Sequence, residues 1–76
     1  MTDKTFRNLV RNAAGSGVRI RFTRPGRAVI DGEDEATCLM CVAERAAKAV
    51  NGVGSYTFVG RGSNERRVAI VERSIA

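Results

Sequence analysis

The run GVRIRFTRPGRAVIDG, Gly17 to Gly32, constrains the fold more than any other stretch, because its alternation specifies a β-hairpin. Val18, Ile20 and Phe22 alternate with Arg19, Arg21 and Thr23, the period of a strand with one buried face. Pro25 and Gly26 supply the fixed φ and the positive φ that a turn needs. A two-residue loop would set Ile20 opposite Asp31 and Arg21 opposite Ile30, mixing the faces. A three-residue loop with a bulge instead pairs Phe22 with Ala28 and Ile20 with Ile30, leaving Arg21 beside Val29 and Arg19 beside Asp31. The second register is the one predicted.

Around this hairpin the remaining elements follow from periodicity. Phe6, Leu9, Val10 and Ala13 fall at i, i+3, i+4 and i+7, which predicts a short amphipathic helix with Thr2 or Asp3 as its cap and Gly15 as its stop. Lys4, Arg7 and Arg11 form its polar stripe. DGEDEATCLMCVAERAAKAVNG predicts a second helix, capped by Asp31 or Asp34 and ending near Asn51-Gly52, with acids in its first turn and Lys48 in its last. Its apolar stripe is Leu39, Met40, Ala43, Ala47 and Val50. SYTFV alternates again with Tyr56 and Phe58 inward, and RRVAIVER supplies Val68 and Ile70 to the same face. Pairing Phe58 with Val68 and Tyr56 with Ile70 leaves a loop from Arg61 to Glu65.

The expected fold class is α+β: one small two-layer domain over residues 1–76, order α-β-β-α-β-β, with a four-stranded antiparallel sheet and helices on one face. Its open face should show Arg19, Arg21, Thr23, Thr57, Arg67 and Arg73 among Val29, Val59 and Val71. Such a mixture has the character of a protein-contact surface. At 76 residues with four aromatics and no Trp, one core barely offsets conformational entropy. That shortfall and the valine-studded Arg face predict a homodimer. The apolar runs are too short for a membrane span and the N-terminus lacks a signal peptide's hydrophobic region, so a soluble cytoplasmic protein is expected.

Net charge is +5, and eleven of the thirteen bases are Arg, whose planar fork suits carboxylates and phosphates. Residues 1 to 30 carry seven bases against one acid, whereas residues 31 to 35 carry four acids. The DGEDE cluster has a sufficient explanation in capping, with an acidic contact surface as the alternative. The chain has no His, which removes imidazole bases, Ser/His and Cys/His nucleophile pairs and His metal ligands. CLMC, with Cys38 and Cys41, lacks a second ligand pair for zinc and the flanking Trp, Gly and Pro of thioredoxin-like sites. Both thiols are read as buried small hydrophobes in a reducing compartment. GVGS and GRGSN lack the remainder of a phosphate loop, and DGEDE lacks the ligand spacing of a calcium loop. No enzyme activity, cofactor or metal is expected.

In layout, two hairpins flanking one Ala-rich helix, as in VRIRFTRPGRAVIDG, ATCLMCVAERAAKAV and GSYTFVGRGSN, the chain resembles the small phage-encoded anti-CRISPR proteins directed at type I systems. The resemblance covers about Gly17 to Arg73. It implies a stoichiometric inhibitor that sits on a Cascade or effector subunit in the host cytoplasm and blocks target DNA binding or nuclease recruitment. Many such inhibitors are acidic DNA mimics, whereas this chain is basic and has only DGEDE to imitate phosphates. The candidate partner-binding residues are Arg19, Arg21, Arg24, Arg27, Arg61, Arg66 and Arg67, with Asp31, Glu33, Asp34 and Glu35. The alternative is a basic nucleic-acid-binding module using the same arginines on phosphates. Against it, inward-facing Tyr56 and Phe58 leave no stacking platform on the open face.

Overall fold

The computed structural model describes residues 1–32, 38–60, 62 and 66–73. The first helix, α1, is Asp3–Ala14. Thr2 is its cap, accepting a 3.1 Å hydrogen bond from the Thr5 amide, and the Gly15 amide donates to the Arg11 carbonyl at its end. Phe6, Val10 and Ala14 are buried, with Leu9 and Ala13 packed beside them. This is the stripe that the spacing predicts, extended by one residue.

Strands β1 (Val18–Arg24) and β2 (Arg27–Gly32) form the hairpin in the predicted register, Ile20 opposite Ile30, Phe22 opposite Ala28 and Arg19 opposite Asp31. Gly26 takes φ +80° after Pro25, as a type II turn requires. The extra residue lies within β1 rather than in the loop. The pairing shifts between Phe22 and Arg24, so Thr23 bulges and Arg24 faces Arg27 across a two-residue turn.

Helix α2, Leu39–Ala49, begins later than the acids suggest. Asp31 belongs to β2, Asp34 lies outside the described residues, and Cys38 stands at the cap position without a side-chain capping bond. Leu39, Val42, Ala43, Ala46, Ala47 and Val50 are buried, a series with the helical spacing of a single face. Met40, expected inward, falls off that series and is 57% exposed. Asn51, at φ +53°, turns the chain from α2 into the next strand.

Strands β3 (Gly52–Val59) and β4 (Arg66–Arg73) complete an antiparallel sheet of order β1-β2-β4-β3, with both helices packed on one side. β4 is therefore central, and its register corrects the sequence reading. Phe58 pairs with Arg67 and Tyr56 with Ala69, one residue away from the expected Val68 and Ile70. A one-residue slip exchanges every side chain between faces. Ala69 and Val71, fully buried, face the helices, while Val68 and Ile70 belong to the open side with Val29 and Thr57. Arg67 and Arg73 accordingly lie on the helix side.

The physical reason is the closeness of α2 to the sheet. A Cβ placed on Gly54 would stand 2.8 Å from the Ala43 carbonyl oxygen and 3.3 Å from the Ala47 Cβ. Under so close a helix the sheet offers Gly54, Ala69 and Ala28. These small residues meet Ala43, Ala46 and Ala47. Val68 and Ile70 in their place would overpack that interface.

Candidate binding surface

The open side of the sheet is built from the alternate residues of all four strands, since directly opposite residues in an antiparallel pair share a face. At its centre Val29 faces Ile70, and Val68 faces Asp31 on one side and Thr57 on the other. Val68 is 1% exposed although neither α1 nor α2 lies on this side. Arg19, Arg21, Val29, Asp31, Arg66 and Val68 line a shallow depression of about 300 Å3 around it. Long Arg stems that wall in an apolar residue while keeping their charged heads in water account for that burial.

The charges on this side are sorted. Asp31 binds Arg66 at 2.9 Å, and Glu72 binds Arg24 at 3.0 Å and Arg27 at 3.3 Å. Arg27 also donates to the Thr23 hydroxyl at 2.8 Å. The acids are consumed at the two ends of the apolar centre. Arg19 and Arg21 carry no ion pair among the described residues and project from β1, an outer strand. Of the predicted partner-binding set, this face assembles Arg19, Arg21, Arg24, Arg27, Arg66 and Asp31. Arg61, Glu33, Asp34 and Glu35 lie outside the described residues.

Arg67 does not join that face. Its guanidinium carbon lies 5.6 Å from the Tyr56 ring centroid and 5.2 Å from that of Phe58, on the helix side. Tyr56 and Phe58 do point to that side, yet they are 36% and 58% exposed. α2 packs over Gly54 and begins near Tyr56, and β3 outruns it. A groove of about 580 Å3 runs between α2 and the β3 edge, lined by Met40, Ala43, Ala47, Gly54 and Tyr56 among others. The clue available in the sequence was GVGSY: two glycines in a strand signal a close backbone approach, which pushes the following aromatics past the helix.

On α1 the polar stripe has a structural duty. Arg7 and Arg11 place their guanidinium carbons 5.0 Å and 5.1 Å from the Phe22 ring centroid, and Phe6 meets the same ring edge-on at 6.2 Å.

Both thiols depart from the expected burial. Cys38 and Cys41 are exposed, with their Sγ atoms 2.7 Å apart. The buried stripe of α2 passes them by, because Leu39 and Val42 occupy it. With Cys38 ionised, the Cys41 thiol donates to it; that hydrogen bond, chiefly, pulls the Cys38 thiol below its ordinary range, helped by the amides of Cys41 and Met40. The same coupling raises Cys41. Among the described residues no group of three or more His, Cys, Asp or Glu is placed to hold a metal, and no helix is long and apolar enough to cross a membrane.

No family model, curated protein or solved structure matches the chain.

Proposed function

We propose that the protein acts without chemistry of its own, as an inhibitor that binds an acidic protein surface through the open side of its sheet, and that the partner is an effector subunit of a type I CRISPR–Cas complex. The partner class rests on the layout resemblance alone. The binding mode rests on one observation: Val29, Val68 and Ile70 form an apolar centre at whose ends Asp31 and Glu72 pair with Arg66, Arg24 and Arg27, while Arg19 and Arg21 at its margin make no ion pair among the described residues. An apolar centre with a charged rim is the anatomy of a protein interface. Single-strand binding needs aromatics beside the phosphate contacts, and the arginines of the open side have none beside them; the exposed rings have Arg67 instead. Here Tyr56 and Phe58 lie on the opposite side from Arg19 and Arg21. The test is binding to a purified type I effector complex after nuclease treatment, with the protein's Arg19→Glu, Arg21→Glu variant beside it. Retention of the parent and loss of the variant support the reading. Recovery of nucleic acid alone overturns it in favour of a basic nucleic-acid-binding module.

The working form in this proposal is a homodimer joined through β3. The two edges of the sheet differ. β1 carries Arg19, Arg21 and Arg24, the kind of charge that keeps an edge from pairing, whereas Gly52 to Gly60 holds no charge and no Pro. In a chain of net charge +5 this neutral strand is the place where two copies approach without repulsion. Antiparallel pairing about a two-fold axis at Tyr56 sets Ser55 opposite Thr57 and Phe58 opposite Gly54 of the second copy. Phe58 then enters the groove at Ala43 and Ala47, where Gly54 has no side chain, and an aromatic ring covering a cross-strand glycine is a stabilising pair. Phe58→Asp should yield a folded monomer by light scattering where the parent is dimeric. A parent that stays monomeric throughout the micromolar range overturns the dimer and leaves the inhibitor reading standing.

A further inference from the structure

The structure assigns to Cys38 and Cys41, at the start of α2, a site of thiol–disulfide exchange that takes an organic disulfide as its co-reactant and closes to an intramolecular bond. Three features of the pair bear on it, none of which the inhibitor reading uses. Both thiols are exposed, so a disulfide can reach them. Their sulfurs are 2.7 Å apart, so forming a bond of about 2.05 Å asks for a small displacement. Cys38 is the cap residue, and its carbonyl accepts the 3.0 Å bond from the Val42 amide that opens the helix; its sulfur therefore sits at the positive end of the α2 dipole, where a thiolate is favoured.

The two thiols have unequal environments, which assigns their roles. Cys38 is held below the ordinary thiol range by donation from Cys41 and, more weakly, by the amides of Cys41 and Met40, which fall short of a capping hydrogen bond. Glu44 opposes ionisation of both thiols, and Arg45 favours that of Cys41. Cys38 is thus the attacking sulfur and Cys41 the resolving one. The Cys38 thiolate attacks one sulfur of R–S–S–R, forming Cys38–S–S–R and expelling RS⁻. Cys41 then loses its proton to water and attacks the Cys38 sulfur; the Cys38–Cys41 bond forms and a second RS⁻ leaves. Two thiols are oxidised and one disulfide is reduced to two thiols, which balances without any other oxidant.

The consequence for the molecule is local. The closed bond joins the cap to the first turn of α2, the turn that presents Met40 to the groove beside Tyr56.

The experiment uses the whole chain, incubated with oxidised glutathione in glutathione buffers of graded ratio and read by intact mass. The parent should lose two hydrogens and carry no lasting adduct. Cys41→Ser, lacking the resolving thiol, should accumulate one glutathione on Cys38. In the reduced parent, where the two thiols act on each other, iodoacetamide at neutral pH should label Cys38 at least several-fold faster than Cys41 by peptide mapping, and thermal melts show whether the variant is folded. Stable glutathionylation of both thiols in the parent overturns the proposal, as does equal labelling of Cys38 and Cys41 in the parent. Zinc bound stoichiometrically to the reduced protein overturns it too, since the pair would then be half of a metal site shared between copies.

Discussion

Phe58 and Arg67 are direct cross-strand partners on the helix side of the sheet, and the Arg67 guanidinium lies 5.2 Å above the Phe58 ring, with Tyr56 5.6 Å away. The cation shields two rings that α2 leaves partly exposed. An exposed cation–π contact of this kind contributes about 0.5 to 1 kcal/mol. Arg67→Ala should therefore lower stability by that much, and the loss should disappear in a Phe58→Ala, Tyr56→Ala background. Chemical denaturation of the four proteins measures the coupling; an undiminished loss in that background removes the contact from the account.

The register of β4 makes a sharper prediction. Ala69 is fully buried beneath α2, whereas Ile70, its neighbour, is only partly covered on the open side. Ala69→Leu should cost about 1 to 3 kcal/mol by overpacking, and Ile70→Thr should cost less. Thermal melts of the two variants decide it, and the reverse order would restore the register in which Val68 and Ile70 face the helices.

Gly54 is tested separately. Its Cβ position lies 2.8 Å from the Ala43 carbonyl oxygen, so Gly54→Val must push α2 off the sheet. The expected loss is of the same size, about 1 to 3 kcal/mol, and in the proposed dimer joined through β3 the same change would remove the slot for Phe58 of the second copy and shift the protein toward monomer. Sedimentation alongside the melt reads both.

Glu72 holds Arg24 and Arg27 at one end of the open face with its carboxylate nearly half exposed. Exposed pairs contribute about 0 to 1 kcal/mol, so Glu72→Gln should barely change the melting temperature at physiological salt. It should strengthen attachment to an acidic partner, because two further cations are released toward it. A variant that binds more weakly would mean that Glu72 itself touches the partner.

Alkylation of the thiols should depend on pH in an ordered way. Cys38 is depressed and Cys41 raised, so labelling of Cys38 should set in at lower pH than that of Cys41. A depressed folded value also means that ionisation of Cys38 favours the fold above the unfolded thiol pKa and that this contribution vanishes as pH falls through the folded value. At a solvent-exposed position the stability effect is small and the labelling order is the clearer readout. Peptide mass mapping across a pH series supplies it.

The hairpin was legible in the sequence because alternation and turn chemistry pointed the same way: only one register keeps Ile20 with Ile30 and the arginines together. α1 was legible for a similar reason, since Thr2, the apolar spacing and Gly15 agree. β4 was not. A central strand is apolar on both faces, so Val68-Ala69-Ile70-Val71 contains no alternation to read, and the choice between faces depends on how near α2 comes. Residue size then overrode hydrophobicity: Ala69 fits under the helix and Ile70 does not. The same closeness displaced Tyr56 and Phe58 into solvent, and the helix face that excludes Met40 excludes the thiols as well. Helical spacing from Leu39 would have revealed this, had the acids of DGEDE not drawn the expected start of α2 several residues upstream.

The contrast between the arginine-bearing β1 edge and the neutral β3 edge limits how many copies can join. In the proposed dimer, pairing through β3 would use up the bare margin and leave a charged strand at each end of an eight-stranded sheet, so growth would stop at two. The two open faces would then lie side by side in one continuous surface, related by the axis at Tyr56. A target built from repeating subunits would meet both at once, and the second contact would form at the high effective concentration set by the first. Weak individual contacts at Arg19 and Arg21 would suffice for tight, long-lived capture.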